Sequence, residues 1–310
     1  MSIIEKAVNK LSRTEPAFVA PPPQTPAPDS PIEPAARAPE AAQHSAPEEK
    51  SVPQAAVRPA QSTDSGAPAQ SINRAKLKKM GLVTPDGERS QIAEEFRLIK
   101  RPLLMNAFGQ GAAPIRNGNL IMVTSSLPGE GKSFCAINLA ISIAMEMDRT
   151  VLLVDADVAK PRIPHYLGLR AERGLLDVLR DEQLALADVL IKTDIDNLTI
   201  LPAGHTYRQA TELLASEAMN RLIRDIQHRY PDRIVIFDSP PLLATSEAGV
   251  LAAHMGQIVM VVEAEKTPQG ALKEALSQIE SCEVIGMVLN KTTALPGTNY
   301  YYGYYGSPET

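Results

Sequence analysis

From residue 119 onward, apolar residues fall into short unbroken runs, separated by stretches in which they recur every three or four positions. The runs LIMVTS (120–125), VLLVDAD (151–157), LTILPAG (198–204), RIVIFDSP (233–240), QIVMVVE (257–263) and VIGMVLN (284–290) predict strands. A strand with one face in water alternates apolar and polar residues. These runs do not alternate, so both faces are covered, as in parallel strands crossed over by helices. The helices are expected around 133–147, 174–190, 210–229, 246–254 and 268–280. The fold class is therefore α/β, with three layers around a mostly parallel sheet. Ligands of such sheets bind beyond the carboxyl ends of the strands.

The chain before residue 119 follows other patterns. Ile3, Ile4, Ala7 and Leu11 predict a short amphipathic helix over 1–13, readable either as a transient helix on a tail or as a docking element for a partner or membrane surface. Residues 14–74 predict a disordered Pro/Ala-rich arm, since half of the chain's 26 prolines fall between residues 14 and 70. The basic stretch RAKLKKM (74–80) leads to a turn signal, TPDGE (84–88). A helix is expected at about 89–106, with Ile92, Phe96, Ile99 and Leu103 on its apolar face and Glu94, Arg97 and Lys100 sharing another. These boundaries leave 75–291 as one globular domain and 292–310 as a flexible tail.

Composition removes several alternatives. A net charge of -5 offers no general attraction for nucleic acid. Cys135 and Cys282 are isolated and fit neither a disulfide framework nor a metal-ligand spacing, which suits reduced core residues of a cytosolic protein. No apolar run is long enough to span a bilayer, so the chain is not expected to cross a membrane by itself.

Chemistry enters at SSLPGEGKS (125–133), which follows the first strand and opens the next helix. Gly129 and Gly131 let the backbone curl so that successive N–H groups face one anion, and the helix adds its positive end. Pro128 to Phe134 would cradle the phosphates of a nucleotide, with Glu130 inside the loop. Lys132 would reach the β- and γ-phosphates and the Ser133 hydroxyl would ligate Mg²⁺. Ser126 stands where the phosphate-loop pattern has its first glycine. Asp155 and Asp157 close the second run and Asp238 the fourth, where Mg²⁺ and an attacking group would need carboxylates. Asn290, closing the sixth run, reads either as a contact to the base or as a turn cap.

Five of the eight tyrosines, Tyr300, Tyr301, Tyr302, Tyr304 and Tyr305, crowd into the end of a chain whose aromatic content is 4%. Eleven residues from 292 to 302 reach at most about 35–40 Å when extended. The cluster reads as a set of accessible acceptors, or as an aromatic tail that packs on a surface.

Together these motifs resemble the bacterial tyrosine kinases encoded with exopolysaccharide and capsule assembly systems. The resemblance runs over roughly 75–310, with SSLPGEGKS as Walker A, VLLVDAD as Walker A′, IVIFDSPP as Walker B, EEFRLIK as the oligomerisation helix, and the tyrosine cluster last. The N-terminal features are most similar to the exosortase-associated subgroup. The resemblance implies a P-loop autokinase using ATP and Mg²⁺. Asp155 would orient and activate the phenol, and Asp157 and Asp238 would be metal ligands, with the roles of the first two aspartates open to exchange. It implies a homo-oligomer, in ring form, through Glu94, Arg97 and Lys100, and an activating transmembrane chain-length regulator. It also implies an opposing phosphotyrosine phosphatase and a cytoplasmic location at the inner face of the membrane.

Two departures stand out. Relatives often carry arginine where this chain has Ala159, leaving Lys160 or Arg162 to substitute. The last basic residue of the helix is Lys100, which keeps the charge but loses the planar fork. Partition and division-site ATPases share the sheet and aspartates but carry a signature lysine where this chain has Leu127. An ATP-dependent scaffold without phosphotransfer is the other alternative.

Overall fold

The computed structural model describes residues 68–87, 90–109, 115–229 and 232–293. The chain divides into units 1–61 and 62–310, and every described residue belongs to the second. The N-terminal helix, most of the Pro/Ala arm and the tyrosine cluster lie outside the described residues.

Seven strands form the sheet: β1 (Leu120–Ser125), β2 (Thr150–Asp155), β3 (Ile191–Lys192), β4 (Leu198–Leu201), β5 (Arg233–Asp238), β6 (Gln257–Glu263) and β7 (Val284–Asn290). Their order is β3-β4-β2-β5-β1-β6-β7, and every pairing is parallel except β3 with β4. The α/β class read from the unbroken apolar runs is borne out. β3 was not anticipated, because a two-residue strand carries no readable period.

Alternate residues of the central strands enter opposite layers, which is why the runs do not alternate in polarity. Leu120 and Met122 of β1, Leu152 and Val154 of β2, and Val235 and Phe237 of β5 join one buried cluster. That layer includes α5 (Leu175–Arg180), α6 (Ala210–Leu214), α7 (Glu217–Arg229), α8 (Ser246–Ala252) and α9 (Gln269–Ser277). Ile121, Val123, Leu153 and Ile236 point the other way, toward α1 (Arg74–Lys79), α2 (Gln91–Phe108), α3 (Lys132–Ala144) and α4 (Ile163–Leu167). The helix expected over 174–190 is shorter: α5 stops at Arg180, and one 3₁₀ turn follows at Leu186–Asp188. The stretch at 210–229 breaks into α6 and α7 around Ala215 and Ser216.

The segment before β1 is part of the body. Gln70 bridges to Thr193, Ile72 is buried, and Asp194 Oδ1 accepts from the Ile72 N–H at 2.8 Å. Among the described residues, contact with the domain is already made at Gln70, ahead of the expected end of the arm at 74. The basic stretch folds into α1, capped by Asn73 and anchored through buried Leu77. Asn138, inside α3, accepts from the Val83 N–H at 2.7 Å and so fixes the segment after α1 to that helix.

Candidate active site

β1 ends at Ser125 and α3 begins at Lys132, so one tight loop carries the chain from sheet to helix. Gly129 and Gly131 take φ of +90° and +103°, a region costly for any residue with a Cβ. A Cβ on Gly131 would also lie 2.0 Å from Asn290 Nδ2. The start of the loop is pinned to the turn after β5, where the Leu242 and Leu243 N–H groups donate to the carbonyls of Ser125 (2.8 Å) and Ser126 (3.2 Å). With thirteen residues of α3 behind it, the loop presents the positive end of a helix to its mouth.

Strand register brings the acidic groups to this loop. Asp155 and Asp238 lie opposite each other across β2 and β5, and Asp238 also pairs with Val123 of β1. Lys132, in the first turn of α3, donates from Nζ to Asp157 Oδ2 at 2.5 Å, with Asp238 Oδ1 at 3.8 Å and Ser133 Oγ at 3.5 Å. Burial opposes the charge of Lys132, but Asp238 and Asp157 outweigh it and hold the ammonium above its ordinary range. Burial, reinforced by Asp238, pushes the Asp155 carboxyl up to about 8. Burial pushes Asp238 up to about 6 against the pull of Lys132.

Several oxygens here are buried without a hydrogen-bond partner. Asp155 Oδ2 accepts from the Ile163 N–H at 2.9 Å. Its Oδ1, both oxygens of Asp238 and the Ser126 hydroxyl have no hydrogen-bond partner among the described residues. Leaving such groups unpaired costs free energy, and their clustering marks a place built to meet something external to the chain. An all-oxygen set suits a hard divalent cation. Among the described residues, no three His, Cys, Asp or Glu side chains make a metal cage.

A cavity of about 470 Å³ opens against the loop, walled by Gly129, Lys132, Phe134, Asp157, Pro240 and Thr245 among others. Ala159 lines it too, alongside Lys160 and Arg162, the two cations available in place of the missing arginine. Asp157 faces the cavity, whereas Asp155 and Asp238 lie behind it, fully buried. The prolines after Asp238 were visible in the sequence as SPP, but only the fold turns them into a wall of this cavity.

The remaining expected residues divide. Asn290 donates from Nδ2 to the Glu130 carbonyl at 2.9 Å, so in this structure its amide is used on the phosphate loop. Glu130 is itself buried: one carboxylate oxygen accepts from the Leu127 N–H at 2.8 Å and the other from the Thr267 hydroxyl. Glu94 and Arg97 pair with each other on the surface of α2. Lys100 does not share their exposed face. It is buried, donates to the Ser142 carbonyl at 2.6 Å and pairs with Glu146 at 2.5 Å. Spacing of three carries a residue about 60° further round a helix at each step, and here that rotation turns Lys100 inward to the negative end of α3. The tyrosine cluster falls outside the described residues. Thr267, Glu263 and Lys291, which tie the loop to the ends of β6 and β7, were not singled out from sequence; Lys291 directly follows a strand-end residue that was.

Comparison with known proteins follows the same outline. A family model described as an AAA domain matches residues 118–287. The chain belongs to that family. The chain is similar to EpsB of Ralstonia nicotianae, at 35% identity over 188 residues, covering 60% of this chain and 24% of EpsB. The chain therefore spans about a quarter of the length of that relative. It is also similar to the tyrosine-protein kinase YwqD of Bacillus subtilis, at 28% identity over 239 residues, covering 76% of this chain and 96% of YwqD. Among solved structures, the chimerical protein CapA2B2 aligns with a TM-score of 0.59 and 27% identity over 74% of this chain and 96% of that one. The resemblance to bacterial tyrosine kinases drawn from the motifs is borne out by these relatives.

Proposed function

We propose that the chain is an ATP-dependent protein-tyrosine autokinase that phosphorylates its own tyrosines at 300, 301, 302, 304 and 305 and regulates exopolysaccharide or capsule synthesis and export. The observation that carries this reading is the meeting of Lys132, Asp157 and Asp238 at a glycine loop, beside buried carboxylate oxygens that lack partners. The likeness to a named tyrosine-protein kinase along almost its whole length supports it.

ATP would bind with its phosphates on the loop amides and Lys132, which oppose the charge that builds on the transferring group. Ser133, Asp157 and Asp238 would hold Mg²⁺, which would supply neutralisation of the phosphate charge. A phenol oxygen attacks the γ-phosphorus; the new O–P bond forms as the bond to the β,γ-bridging oxygen breaks, ADP leaves, and the phenol proton passes to Asp155. A phenol titrates near 10 and is a poor nucleophile until its proton has a destination. In the nucleotide-free chain Asp155, held at about 8, keeps its proton at neutral pH, and a cation bound in the site would favour the ionised form that takes the phenol proton.

Transfer runs between neighbours in a ring assembled through the Glu94–Arg97 surface of α2, and a transmembrane chain-length regulator activates it from the inner face of the membrane. A phosphatase returns the tyrosines to their starting state. Among the described residues no helix is long and apolar enough to cross a membrane.

The test is phosphotyrosine detection on purified protein given Mg-ATP, with and without the cytoplasmic end of the membrane regulator. Lys132→Met is expected to abolish the signal, and replacing all five tail tyrosines by phenylalanine to remove nearly all of it. An undiminished signal from the phenylalanine variant would sink the acceptor assignment. ATP consumption with no phosphotyrosine would favour a scaffold ATPase.

A further inference from the structure

Asn290, the last residue of β7, and Lys291, which follows it, grip the phosphate loop from its carbonyl side. Asn290 Nδ2 donates to the Glu130 carbonyl at 2.9 Å, and Lys291 Nζ donates to the Gly129 carbonyl at 2.7 Å. Lys291 adopts a φ of +58°, uncommon for a residue with a side chain, and from that conformation its side chain reaches back to the loop. Its ammonium also meets Glu263 Oε2 at 2.9 Å, at the end of β6. The neighbouring corner closes the frame: the Thr267 hydroxyl donates to Glu130 and accepts from the Glu263 N–H at 3.0 Å.

We infer that Lys291 is a positioning residue for the phosphate groups of the nucleotide, acting through the loop's peptide units. This rests on the nucleotide reading of the loop, not on tyrosine as acceptor. The Gly129 carbonyl and the Glu130 N–H belong to one peptide unit, and the Glu130 carbonyl and Gly131 N–H to the next. A carbonyl that accepts a bond from an ammonium is more strongly polarised, and the N–H across the same peptide becomes a better donor. The clamp also fixes the orientation of both units, so those N–H groups need not reorganise when an anion arrives. Lys291 itself has no place in the cavity wall, which separates its action from that of Lys132. Because Lys291 is where the chain leaves the sheet, the clamp joins the phosphate loop to the start of the C-terminal segment.

The test compares Lys291→Met and Lys291→Arg with the unaltered full-length chain, titrating each with ATP and with adenosine, which has no phosphates. Lys291→Met is expected to weaken ATP binding by a few-fold, since the lysine acts on the phosphates only through the peptide units it polarises and orients, and to leave adenosine binding unchanged. Lys291→Arg, which keeps the charge and a donor, is expected to recover most of the ATP affinity. Unchanged ATP affinity in Lys291→Met overturns the inference. So does an equal loss for ATP and adenosine, which would mark a general disturbance of the site, and so does a failure of arginine to rescue. Run with divalent metal chelated, these titrations involve no phosphotransfer, so a failed tyrosine assay leaves their outcome intact.

Discussion

Lys132 Nζ lies 2.5 Å from Asp157 Oδ2, and both side chains are nearly closed to solvent. A phosphate entering the loop must compete with Asp157 for that ammonium, and the carboxylate also repels it. Asp157→Asn should therefore bind ATP several-fold more tightly when metal is chelated, roughly the scale of one partly buried charge contact. With Mg²⁺ present the same variant should lose about 100-fold or more in phosphotransfer, as a site missing an electrostatic stabiliser does. Titration in EDTA and a turnover assay check the two halves; a variant weaker in both would contradict the competition.

The pH dependence of stability should carry the mark of Asp155. Its carboxyl titrates at about 8 in the folded chain against 3.8 when free. Between those values the folded state holds more protons than the unfolded one, so this group's contribution to stability falls as pH rises through the window. Asp155→Asn removes the ionising group. It should raise the melting temperature of the nucleotide-free protein at pH 8, with a smaller gain at pH 5. A shift of about 2–4 °C is expected for each kcal/mol recovered, read by thermal denaturation at both pH values.

Mg-ATP binding should release protons near pH 7, since a cation beside Asp155 and Asp238 favours their ionised forms. Calorimetry in two buffers of different ionisation enthalpy measures the number, which should shrink toward zero by pH 9.

Lys100 and Arg97 are one helical turn apart, yet only Lys100 is buried. Lys100→Ala leaves the Ser142 carbonyl and Glu146 without their cation and should cost about 1–3 kcal/mol. Arg97→Ala, which breaks an exposed pair, should cost under about 1 kcal/mol. Urea denaturation at two protein concentrations separates the effects: the loss at Lys100 should not depend on concentration, because its contacts lie within one chain.

Gly131→Ala meets two obstacles, a φ of +103° and Asn290 Nδ2 at 2.0 Å from the new Cβ. The substitution should destabilise the chain by more than about 1 kcal/mol from backbone strain alone. Adding Asn290→Ala should recover the steric part only. A double-mutant cycle by chemical denaturation reports the coupling, and strictly additive losses would mean that the two groups do not meet.

Local pattern determined much of this protein. Unbroken apolar runs announced a sheet covered on both faces, which holds for the central strands; β7, at the sheet edge, leaves Met287 and Leu289 exposed although its run is equally apolar. The loop at 125–133 declared itself because it needs glycine where the backbone turns left-handed, and because it lay between a strand and a helix. Asp155, Asp157 and Asp238 were legible as strand-end carboxylates. Their convergence was decided by register, which sets Asp155 opposite Asp238 across 83 positions of sequence, and no local pattern encodes which strands become neighbours. The tertiary structure also turned Lys100 inward, since the direction a helix faces depends on what packs against it. It brought Asn290 and Lys291 onto the loop for the same reason: a hydrogen bond between residues 160 apart is specified by the fold that closes the distance.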